Sequence, residues 1–160
     1  LGSSSESEEM LIEGWTTTLG ILIRAISDRY GGEGLDLAKK AFKELGKVAG
    51  SEGLKNLKIK DRGIEAFVQL MEPWNLVFKI KIKSKELIES SNRVILIIRV
   101  SDCLLAKYWK AVNAPPEMCD VWYSFDQGVA EAIHPKMKFR ITKSLYKGDE
   151  YCERVIELEK

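Results

Sequence analysis

Residues 93–100 read Arg93-Val94-Ile95-Leu96-Ile97-Ile98-Arg99-Val100, an apolar run rich in β-branched side chains with no polar alternation inside it. A run of this length and kind is a strand covered on both faces, the centre of a sheet. Upstream of it, Leu76-Val77-Phe78-Lys79-Ile80-Lys81-Ile82-Lys83 alternates strictly from Phe78 onward, so one face is dry and the other wet. The simplest pairing of the two is antiparallel, with Lys85 to Asn92 as the connection. Downstream, Lys138 to Leu145 forms a third strand with Phe139 and Ile141 on one face. Lys147-Gly148-Asp149-Glu150 supplies a turn, and Tyr151 to Glu159 is the fourth strand. In that strand Glu153, Glu157 and Glu159 share one face, while Cys152, Ile156 and Leu158 share the other.

Helical periodicity fills the rest. From about Glu9 to Tyr30, Leu11, Trp15, Leu19, Leu22, Ile23 and Ile26 recur at three- and four-residue steps and form an apolar stripe. Gly31-Gly32 ends that helix. The next is expected from Glu33 to Val48, with Leu37, Ala41, Leu45 and Val48 as its inner face and Lys39, Lys40, Lys43 and Lys47 in water. Gly50 punctuates, and Leu54 to Leu57 adds a turn. A shorter helix, Asp61 to Leu70, turns Ile64, Phe67, Val68 and Met71 inward and is closed by Pro73. Ser101-Asp102 caps a helix from Cys103 to Val112. Another runs from Cys119 to Ile133 and stops at Pro135. The expected fold is α+β, with N-terminal helices packed on an antiparallel sheet of two hairpins and two helices between the hairpins. One domain is expected over residues 9–160, after a disordered tail at 1–8.

Composition excludes several function classes. With 25 basic and 24 acidic residues the net charge is +1, so no nucleic-acid footprint is expected. No run of about 18 apolar residues is present to span a membrane, and Leu1-Gly2-Ser3-Ser4-Ser5-Glu6 lacks the order of a signal peptide. Three cysteines, an odd number, argue against a disulfide framework and for a reducing, cytoplasmic setting. Abundant Lys, Glu and Ile with only Gln69 and Gln127 is a blend common in proteins from hot environments, archaeal ones among them.

The residues with chemistry to offer are few. Cys103 and Cys119 each fall in the first turn of an expected helix, where unpaired N–H groups and the helix dipole favour a thiolate. Cys152 opens the last strand pointing inward. His134, the only histidine, lies about 22 Å from Cys119 along a helix rising roughly 1.5 Å per residue, too far to share one metal ion with it. That leaves Cys103, Cys119 and Cys152 as a candidate metal site, closed by water, ligand or a carboxylate such as Asp120. Thiolates would select zinc. No Cys-x-x-Cys pair supports this, and any single cysteine reads first as a small buried hydrophobe. Trp15, Trp109 and Trp122 are candidates to line a ligand pocket, although indoles are more often plain core. His134 is either a ligand contact or a side chain bonded to the last turn of its helix. No Ser-His-Asp motif, G-x-G-x-x-G or P-loop is present.

Cys119-Asp120-Val121-Trp122, Ile133-His134-Pro135 and the segment Thr142 to Glu153, with its Gly148-Asp149 ahead of Cys152, carry a family likeness. They resemble the 4-vinyl reductase domain family and, equally, its relatives described as L-2-amino-thiazoline-4-carboxylate hydrolases. The resemblance implies a fold shared with haem-based nitric oxide sensors and with vesicle-tethering subunits that hold a fatty acyl chain. It also implies a small molecule bound between the helices and the sheet. Three functions follow as expectations. The first is a binding domain for a small apolar or anionic ligand beside a cysteine-based zinc site. The second is a hydrolase of a small cyclic thioimidate, with Cys119 as nucleophile or metal ligand and Asp120 or Asp149 as proton carrier. The third is a homodimeric interaction subunit joined through the N-terminal helix.

Overall fold

A computed structural model describes residues 4–160. Of the expected tail, residues 1–3 lie outside the described residues, and Ser4 to Glu8 belong to the first helix. Four helices and four strands follow in the order α1 (Ser4–Asn56), α2 (Ile64–Val77), β1 (Lys81–Glu89), β2 (Arg93–Asp102), α3 (Leu104–Ala111), α4 (Met118–Ile133), β3 (Met137–Lys143) and β4 (Cys152–Glu159). A single 3₁₀ turn, Leu145–Lys147, sits between the last two strands. The fold is α+β, as its alternation of periods implies.

The sheet is antiparallel throughout, in the order β1-β2-β4-β3. The two expected hairpins therefore meet through their second strands, with β2 and β4 at the centre. Val100 pairs with Cys152, Ile98 with Arg154 and Leu96 with Ile156. All six side chains are buried on the face that meets the helices. On the opposite face Ile95 and Ile97 are only half-buried. The expectation that residues 93–100 are covered on both sides is thus met on one side only. There the aliphatic residues share the surface with charged pairs such as Arg99 Nε to Glu153 Oε2 at 2.9 Å.

Helix α1 is two limbs joined at Gly31, whose φ of 56° and ψ of −139° interrupt the helix. That is a conformation open to glycine and costly for other residues. The second limb passes beyond Val48 and Gly50 to Asn56, and its inner face is not the one its leucines suggest. Leu37, Leu45 and Val48 are exposed, while Leu35, Ala38 and Leu54 are buried. Glycine decides the orientation. Gly46 lies directly against the Phe125 carbonyl of α4, and Gly128 of α4 lies against the Lys43 carbonyl, so a methyl group at either position would overlap backbone. Side chains larger than hydrogen cannot occupy this crossing, and the bulky residues turn outward. Lys43 and Lys47, expected in water, both pair with Glu131 of α4, at 2.6 and 3.6 Å.

The boundary between α2 and β1 also moves. Pro73 does not close the helix; α2 runs through it to Val77. The turn after the proline is held by packing, because Trp74 stacks on Phe78 at 6.0 Å and meets Phe125 edge-on at 5.3 Å. Leu76 and Val77 are therefore helical rather than extended. Lys79, in the left-handed region at φ 48°, turns the chain into a strand that starts at Lys81.

Candidate ligand site

Helix α4 is the central element, with eleven of its sixteen residues buried. Its side facing α1 and α2 carries Trp122 and Phe125, and its side facing the sheet carries Cys119, Tyr123 and Asp126. Trp122 gathers an aromatic cluster, with ring centroids of Trp15 at 5.6 Å, Phe78 at 5.3 Å, Trp109 at 6.0 Å and Phe42 at 6.1 Å. Three expected pocket residues, Trp15, Trp109 and Trp122, are thereby brought together. They fill space by touching one another. His134 stands apart from them at the C-terminus of α4, where its Nδ1 accepts from the Lys136 N–H at 3.2 Å.

The three thiols converge between α3, α4 and the start of β4. Cys103 is the N-cap of α3, Cys119 lies in the first turn of α4 and Cys152 is the first residue of β4. All are buried and free, and near enough for charge on one to raise the pKa of its neighbours. Burial pushes the Cys119 thiol up to about 12, opposed by the Ser144 hydroxyl and reinforced by the other two cysteines. Burial likewise pushes Cys103 up. The helix N-termini were expected to release these protons, but desolvation wins. Cys152 Sγ accepts from the Leu145 N–H at 3.3 Å. Among the described residues, no group of three or more His, Cys, Asp or Glu side chains is disposed to hold a metal ion. The expected zinc site thus finds no support in the disposition of these side chains.

The other candidate groups are engaged elsewhere. Asp120 pairs with Lys147 at 2.7 Å near the surface. Asp149 Oδ2 accepts from the Ser144 N–H at 2.7 Å and closes the turn before β4.

Beside the thiols lies a charged group that the sequence reading passed over. Arg154 is 3% exposed and projects from the inner face of β4. Its Nη1 donates to Asn75 Oδ1 at 3.1 Å, and its guanidinium carbon stands 5.3 Å from the centre of the Tyr123 ring. Its Nε has no hydrogen-bond partner. Burial works against its charge, and Tyr123 and Asp126 more than offset that, holding its pKa above the usual value. Asp126, 1% exposed, also keeps Oδ1 without a partner. Burial pushes its carboxyl up to about 7, with Arg154 acting in the opposite direction. A signal for both was present. Arg154 has the inward parity of Cys152 and Ile156, and Asp126 follows Cys119 by seven residues, two helical turns along the same face.

Arg154 is also the inner wall of a cleft between α2 and the sheet. The cleft has a volume of about 180 Å³ and apolar walls that include Phe67, Met71, Ile80 and Ile98. Asn75 lies beside Arg154, and exposed Glu72 and Lys85 stand at the edge. None of the four tryptophans lines it.

The thiazoline-carboxylate hydrolase family model, described as L-2-amino-thiazoline-4-carboxylic acid hydrolase, matches residues 13–156, nearly the whole chain. The chain belongs to the L-2-amino-thiazoline-4-carboxylic acid hydrolase family. No curated protein matches this family member. Among solved structures it is similar to the phenol-responsive sensory domain of the transcription activator PoxR with phenol. That likeness has a TM-score of 0.62 and 15% identity, covering 89% of this chain and 74% of that one. It is also similar to a trafficking protein particle complex subunit 3 from Naegleria fowleri covalently bound to palmitic acid, with a TM-score of 0.60 and 12% identity over 95% of this chain and 96% of that one. At these identities the likeness is one of fold. The family assignment agrees with the resemblance carried by Cys119-Asp120-Val121-Trp122 and the segment ending at Cys152.

Proposed function

We propose that this hydrolase-family member is a small-molecule-binding domain whose ligand seat is the cleft between α2 and the sheet. The observation that carries the reading is the cleft itself, about 180 Å³ of space lined largely by hydrocarbon, with Arg154 and Asn75 at its inner wall and Glu72 and Lys85 at its edge. Ligand sites combine those features, an apolar lining with a small number of placed polar groups. The volume suits one ring or a short chain, since an apolar cavity of roughly 150 Å³ takes up benzene. The fold neighbour bound to phenol supports a domain of this architecture holding such a molecule.

Two finer expectations stand outside the proposal. Zinc on Cys103, Cys119 and Cys152 has the convergence of the thiols in its favour and their disposition against it. Nucleophilic turnover by Cys119 would start from a thiol with a pKa of about 12, which is almost wholly protonated near neutral pH.

The test fills the cleft. Val68 lines it and is half-buried, so Val68→Trp adds an indole there without emptying the core. Titration calorimetry with phenol as a neutral one-ring probe should give saturable binding to the wild type and at least ten-fold weaker binding to Val68→Trp. Equal binding to both proteins would contradict the location.

A further inference from the structure

The cleft has a chemical preference written into its inner wall. Arg154 comes from β4 and is almost wholly buried; its Nη1 donates to the Asn75 amide oxygen, and a side-chain hydrogen bond with Tyr123 also favours its charge. Its Nε has no partner. Burying a guanidinium is costly unless charge and hydrogen bonds compensate it. Around it are a neutral amide, the Tyr123 ring face and Asp126, whose own Oδ1 is unpartnered. Asp126 is a carboxylate, but its Oδ1 and the Arg154 Nε are both left without partners, so the two do not form the planar, two-oxygen pairing that a guanidinium fork matches best. The cleft leads to this group past Phe67, Met71 and Ile98, with Lys85 adding positive charge and Glu72 negative charge at the edge.

Resting on the reading of the cleft as a ligand seat, we propose that Arg154 is its specificity-determining residue, selecting small apolar molecules that end in a carboxylate. The ligand places its ring or chain against the hydrocarbon walls and its carboxylate on the unpaired edge of Arg154. Asn75 fixes the guanidinium plane from the other side, and is a positioning residue.

Benzoate and its neutral near-isostere benzamide separate the charge preference from the cleft itself. Calorimetric titration of the wild type at pH 7 should show benzoate binding at least ten-fold more tightly than benzamide. In Arg154→Gln that preference should disappear, with benzamide affinity changed less than three-fold. Arg154→Lys, which keeps the charge and loses the fork, should retain part of it. Equal affinity of the two probes for the wild type, or an undiminished preference in a folded Arg154→Gln, would overturn the assignment and leave the cleft reading intact. Benzamide and benzoate both failing to bind the wild type would overturn the two together. The wild-type comparison needs no variant, so the proposal stays falsifiable if Arg154→Gln fails to fold.

Discussion

At the scale of single residues, Asp126 is a carboxyl group almost wholly removed from water. Its carboxyl is pushed up to about 7 in the fold, against an ordinary value of 3.8, because it is fully enclosed and Arg154 compensates only in part. Between pH 4 and 7 the folded chain keeps a proton that the unfolded chain has released. Its contribution to stability is therefore fully present below pH 4 and is lost as pH rises towards 7. The span is on the order of 4 kcal/mol, at about 1.4 kcal/mol per pKa unit. Urea unfolding of Asp126→Asn at a series of pH values should lack this fall. A slope equal to that of the wild type across the window would show that Asp126 is not the titrating group. The thiols and Asp126 teach the same lesson about reading a site from sequence. Parity and helical spacing place Cys152, Arg154, Cys119 and Asp126 on inward faces. Whether such a group keeps its charge depends on how much water it loses, and that is set by what packs over it.

At the scale of elements, the contact between α1 and α4 is made by absence of side chain. Gly46→Ala should cost about 2 to 3 kcal/mol, because the added methyl group meets the Phe125 carbonyl rather than a movable side chain. Gly14→Ala, on the other limb, has nothing within 4 Å of its new carbon. It should be neutral or gain up to about 1 kcal/mol from helix propensity. Equal effects of the two changes in thermal unfolding would contradict the close crossing. The strands β2 and β4 and the helices α3 and α4 were legible from their apolar period, although the expected cap of α3, Ser101-Asp102, belongs to β2 and Cys103 takes the N-cap position without a side-chain hydrogen bond. The inner face of α1 was not. Leu37, Leu45 and Val48 make the stronger hydrophobic pattern, and only a partner helix with its own glycine reveals that Gly46 faces the core. The end of α2 was hidden for a related reason. Pro73 is a local stop signal, and one of the two aromatic contacts of Trp74 that carry the helix past it, Phe125, is distant in sequence.

At the scale of the whole molecule, α4 lies between α1 and the sheet, so the interior has two unlike compartments. One is filled by aromatic rings around Trp122. The other holds Arg154, Asp126, Tyr123 and the three cysteines, and of these Arg154 lines the cleft under α2. For the small molecule proposed above, the two compartments offer rival places. Methyl-resolved NMR of the intact chain, titrated with phenol, distinguishes them directly. Shifts should concentrate on Met71, Leu76, Ile80, Ile82 and Ile98, which line the cleft. Shifts confined to Val112, which with Trp109 borders Gly20, with the cleft methyls unmoved, would place the ligand among the aromatic rings and contradict the site described above.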